Sequence, residues 1–225
     1  MDVAAALARC ETTAERYRVQ IDAENELSPA EVAALHAAAA ALPEDSRPWI
    51  DKLAAMCRRI RNTIQPFRRH AVGPGVAFLE GTAPPGAPRV LVYAFTGVAQ
   101  RMMLPLAPFM QGLPADRCDV VVLRDPNRLG FLNGVAGYAT DLPSLAARIA
   151  AELPVSGHAA SVCIGTSSGG APALAFGQLM GARLALSLGG LHPRTMRLRN
   201  AEAPLDRFAF EKLRAAAPPP ATRLV

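Results

Sequence analysis

Three short, continuous apolar runs constrain this chain more than any other feature: Arg89-Val-Leu-Val-Tyr-Ala-Phe95, Cys118-Asp-Val-Val-Val-Leu-Arg124 and Ala160-Ser-Val-Cys-Ile164. Runs of this length without polar alternation belong to strands buried on both faces, as in a parallel sheet covered by helices. The intervening patterns supply the helices. Residues 141–153 and 170–180 read as helices, 182–187 as a further strand and 205–215 as a further helix. Val76–Glu80 adds a strand that leaves through the Pro- and Gly-rich loop 81–88. The expected fold class is therefore α/β, a mostly parallel sheet with flanking helices.

The first 70 residues have a different texture. They hold ten basic and ten acidic residues, so the net charge of +5 resides entirely in residues 71–225. Asp2–Asp22 reads as one helix. Ser28-Pro-Ala-Glu31 is an N-cap with Pro at the first helical position and Glu three residues on, opening a helix expected to reach about Leu42. A third helix opens at Asp45-Ser-Arg-Pro48 and carries Ile50, Leu53, Met56, Cys57 and Ile60 on one stripe. The expected division is a helical N-terminal segment over 1–72 and an α/β domain over 73–225.

Composition excludes several classes. With 51% hydrophobic and 19% charged residues the chain is not disordered, and no apolar run approaches a membrane span. The N-terminus lacks a basic stretch ahead of an apolar one, so it is not a secretion signal, and the cytoplasm is the expected location. Cys10, Cys57, Cys118 and Cys163 show no metal-knuckle spacing and read as small hydrophobes. No metal and no cofactor are expected. Of the 24 basic residues only Lys52 and Lys212 are lysine, which points to Arg- and Ala-rich coding rather than to nucleic acid. Arg58, Arg59, Arg61, Arg68 and Arg69 have no interleaved aromatics and read as a solvated face.

One motif carries chemistry. Gly165-Thr-Ser-Ser-Gly169, with Gly170 behind it, fits G-x-S-x-G between an apolar strand and a helix. A serine at the tip of so tight a turn needs neighbours without side-chain bulk, and the helix start behind it favours developing negative charge. Neither the Rossmann fingerprint nor a P-loop fits these residues. A plain turn or anion cradle is the structural alternative.

On these residues the stretch from Arg89 to Gly190 resembles the α/β-hydrolase fold. The resemblance implies Ser167 as nucleophile and Gly165 and Gly169 as the glycines of its elbow. It also implies an oxyanion hole built from the Ser168 amide and from Gly97 and Val98, which follow the strand ending at Phe95. In that family an acid and then a histidine come after the serine. Downstream of Ser167 the acidic residues are Glu202, Asp206 and Glu211, and the one histidine is His192.

His192 is the candidate base, with a loop histidine bonded to backbone as its alternative. Asp125 is the candidate orienting acid, with an ordinary Asp-Pro-Asn turn as its alternative. His158 lies at the wrong end of its strand. Arg194, Arg197 and Arg199 could recognise an anionic substrate, and residues 126–138 form the one lid-like stretch. The expected function is a serine hydrolase-like protein acting on a small-molecule ester or thioester, without membrane or nucleic-acid partners. The alternative is a non-catalytic binding or scaffold protein. Thr222–Val225, after the stiff Pro218-Pro-Pro220 connector, is expected to pair in parallel beside 182–187. By the resemblance the family's acid and histidine would lie past this strand, which implies a weakly active or inactive chain, either truncated or completed by another subunit or a second copy.

Overall fold

The computed structural model describes residues 2–190 and the backbone of 221–224, and the chain divides into two compact units. The first takes Met1–Arg68 together with Leu104–Ala115, and the second takes Arg69–Met103 and Asp116–Val225. A cut at residue 72 falls inside the first strand, and the 104–115 segment returns to the helical unit.

In the helical unit the first three helix starts are fixed by side-chain caps. α1 (Val3–Ala8) begins where the Asp2 carboxylate accepts the Ala5 amide. The expected single helix over 2–22 is instead two. Thr12 and Glu15 form a capping box that restarts the chain as α2 (Thr13–Glu26). α3 (Pro29–Ala37) has the expected Ser28–Glu31 box. It stops before Leu42 because Pro43 confines that residue to extended backbone, and Leu42 is buried there. α4 (Arg47–Ile60) buries Ile50, Leu53, Ala54 and Cys57 against Val3, Leu7, Leu27 and Val32.

α5 (Leu106–Gln111) is too short for sequence periodicity to reveal. Its Gln111 side chain is fully buried. It accepts the Gln65 amide at 3.1 Å and donates to the carbonyls of Arg61 at 2.8 Å and Thr63 at 3.0 Å.

The second unit is a seven-stranded sheet. Its strands are β1 (Arg68–Gly73), β2 (Val76–Glu80), β3 (Val90–Phe95), β4 (Cys118–Leu123), β5 (Ala160–Thr166), β6 (Leu184–Leu188) and β7 (Ala221–Leu224), in the order β1-β2-β4-β3-β5-β6-β7. β2 pairs antiparallel with β4, and the ladders from β4 through β3, β5 and β6 to β7 are parallel. The mostly parallel α/β sheet expected from the three apolar runs is thus the architecture found. Phe95 pairs with Gly165 and Gly165 with Ser187, so the ends of β3, β5 and β6 lie side by side.

α6 (Leu142–Glu152) starts at an Asp141–Ser144 box, and α7 (Gly170–Leu179) follows β5. α7 is buried from Gly170 to Gln178, as befits a helix that is apolar all round. Phe176 from α7 meets Phe95 and Tyr93 edge-to-face at 5.1 Å each, and Phe131 meets Phe95 at 5.0 Å. Aromatic pairs of this kind add roughly 0.5–1.5 kcal/mol beyond their burial. The 205–215 helix lies outside the described residues. Among the described residues no helix is long and apolar enough to cross a membrane.

Candidate active site

Glycine makes the turn after β5 possible. A Cβ on Gly165 would collide with the Gly169 carbonyl oxygen and sit 2.7 Å from the Ala173 Cβ. One on Gly169 would stand 2.5 Å from the Phe95 oxygen and 2.6 Å from that of Thr96. The chain can therefore fold back on itself between β3 and α7. Ser167 sits at the tip with φ of 51°, a left-handed conformation that is unusual for serine, and it is exposed. A single 3-10 turn over Ser167–Gly169 leads into α7.

The loop after β3 lies directly against this turn. A Cβ built on Gly97 would be 3.2 Å from the Ser167 Cβ and 3.1 Å from the Thr166 oxygen. Ser168 stands in the first turn of the helical run, where N–H groups have no partner from within the helix. Val98 is half exposed, at 49%. The Gly97 amide donates to the Arg101 carbonyl at 2.9 Å, so it is engaged within its own loop. Of the two post-β3 amides, that of Gly97 is therefore already engaged.

Asp125 follows β4, at the same sheet edge as Ser167. It is buried, and its two carboxylate oxygens accept the amides of Asn127 at 3.1 Å and Phe131 at 3.0 Å. Those bonds shape the 126–138 segment, which is anchored in the core by Phe131, Val135 and Tyr138. Three histidines are described and each holds a carboxylate. His36 meets Asp51 at 3.1 Å, His70 meets Glu80 at 3.0 Å, and His158 meets Asp119 at 2.7 Å. The His158 pair lies at the amino ends of β4 and β5, opposite Ser167. His192, Arg194, Arg197, Arg199, Glu202, Asp206 and Glu211 lie outside the described residues.

All four cysteines are free, and three are buried. Burial pushes the Cys163 thiol well above its ordinary value and that of Cys57 up to about 11. Neither is a thiolate nucleophile near neutral pH. Among the described residues no group of His, Cys, Asp and Glu could hold a metal.

The sequence reading missed the contact that ties the turn to the neighbouring loop. The Thr166 hydroxyl donates to the Arg101 carbonyl at 3.1 Å. The only hint was a hydroxyl-bearing, β-branched residue at the variable position of the motif.

The fold is α/β: a mostly parallel sheet with an exposed, left-handed serine between strand and helix, and a loop from β3 beside it. No family model and no curated protein matches the chain. Among solved structures it is similar to brefeldin A esterase, described as a bacterial homologue of human hormone-sensitive lipase. The two are 13% identical, with a TM-score of 0.32. The match covers 83% of this chain and 60% of that one. The fold class rests on the sheet and the turn, not on this likeness.

Proposed function

We propose that this chain is a serine hydrolase-like protein that acts on a small-molecule ester or thioester through Ser167. The observation that carries the reading is the left-handed, exposed Ser167 between β5 and α7. The serine oxygen attacks the acyl carbon, and the Ser168 and Val98 amides hold the oxyanion of the tetrahedral intermediate. Collapse expels the alkoxide or thiolate, which takes up a proton. Water then hydrolyses the acyl-serine.

His192 is the proposed base that removes the serine proton. Asp125 accepts one loop amide on each carboxylate oxygen, and the second lone pair of an oxygen is what would orient His192. The second reading, a non-catalytic binding protein, is favoured by the carboxylate partner on every described histidine. Turnover of an aryl ester and an acyl thioester separates the two. Hydrolysis lost in Ser167→Ala supports the enzyme, and collapse in His192→Ala identifies the base. A folded chain with no Ser167-dependent turnover supports the binding protein.

A further inference from the structure

We propose that Thr166 is a positioning residue for the reaction at Ser167, latching the loop that carries the oxyanion amide onto the nucleophile turn. The inference rests on the hydrolase reading above and adds a residue to it. The G-x-S-x-G pattern asks nothing of its second position, yet here that side chain is buried, at 2% exposure, and bonded across the site. Its hydroxyl and the Gly97 amide converge on one acceptor, the Arg101 carbonyl, at 3.1 and 2.9 Å. That oxygen joins the chain on the amino side of the nucleophile to the loop that starts at Gly97 and carries Val98.

The loop needs such a latch. Gln100 and Met103 both hold left-handed backbone, with φ of 60° and 63°. Conformations of that kind persist in residues other than glycine only when surrounding contacts over-determine them. Other ties hold the same loop. The Gln100 amide donates to Gly97 at 2.8 Å, and the Gln100 side chain donates to the Asp125 carbonyl at 2.7 Å. Thr166 supplies a side-chain tie from the turn itself. Its loss would let the Val98 amide drift relative to the Ser167 oxygen, and oxyanion donors act only when fixed in place beforehand.

Thr166→Val keeps the shape and removes the donor, so the Arg101 carbonyl and the Gly97 amide bonded to it lose their tie to the turn. Thr166→Ser keeps the donor. The experiment reads ester turnover of both variants beside hydrogen exchange of the Gly97 amide. Thr166→Val should lower kcat about tenfold with KM unchanged, because the lost interaction belongs to the transition state. Its Gly97 amide should exchange faster, and Thr166→Ser should restore both. An unchanged Gly97 amide in Thr166→Val overturns the latch. Faster exchange with unchanged kcat overturns the positioning role. Absence of Ser167-dependent turnover in the parent chain overturns the hydrolase reading, and with it the positioning role. The exchange data show separately whether the latch exists.

Discussion

Replacing Gly165 by alanine should disrupt the turn on which the site depends. The added Cβ would lie against the Gly169 carbonyl, 2.5 Å from its carbon, and 2.7 Å from the Ala173 Cβ. Carbon atoms pack comfortably at about 3.5–4.0 Å, so a displacement of roughly 1 Å is required. The obstacles are backbone and a Cβ, and neither can rotate aside. Extra methyl groups in packed sites cost about 1–3 kcal/mol, and this one belongs at the upper end. For a chain of this size about 3 kcal/mol corresponds to a fall of roughly 6–12 °C in melting temperature. Gly157→Ala is the control, because nothing lies within 4 Å of its Cβ position. It should stay within about 0.5 kcal/mol of the parent. Thermal melts followed by circular dichroism compare the two. A Gly165→Ala protein melting with the parent would refute the close approach of α7 to β5.

Other perturbations test the scaffold. Asp119→Ala strands the His158 ring, the Arg89 guanidinium and the Gly81 amide, all now bonded to one buried carboxylate. It should lose about 3 kcal/mol in urea denaturation, and an unchanged midpoint would count against that network. Ser28→Ala removes the cap of α3 and should cost about 1 kcal/mol, a figure that a loss below a few tenths would contradict. Glu152 accepts Arg148 and the Tyr138 hydroxyl, which hold its carboxyl below the usual range. A depressed carboxylate stabilises the fold above its unfolded value, and that stabilisation is lost as pH falls through its folded value. The melting-temperature gap between the parent and Glu152→Gln should therefore be widest near neutral pH and close in acid. A constant gap would rule this out.

Much of the sheet could be read because its signals are local. Val90–Phe95 and Cys118–Leu123 are apolar throughout apart from Asp119, and Ser28–Glu31 is a self-contained cap. The tight turn after β5 was legible for the same reason, its glycines lying within five residues of one another. β1 was not legible. Arg68-Arg-His-Ala-Val-Gly73 carries little apolar signal, because it is an edge strand with no fully buried residue. The start of β6 shifts from Ala182 to Leu184 because the Ala182 amide bonds Gly177 at 2.8 Å, outside the ladder. α5 depends on Gln111 bonds to residues 46 to 50 positions away, which no sequence window spans. The Thr166–Arg101 contact joins residues 65 positions apart and becomes visible only once β3 and β5 are known to be neighbours.

The most direct test of the proposed chemistry is covalent labelling. The 225-residue chain is treated with a fluorophosphonate probe, and the modified peptide is mapped by mass spectrometry. A single adduct on Ser167, absent from folded Ser167→Ala, is the expected result. An intact, folded chain with no adduct, or with one on Ser168 or another residue, would contradict Ser167 as the nucleophile.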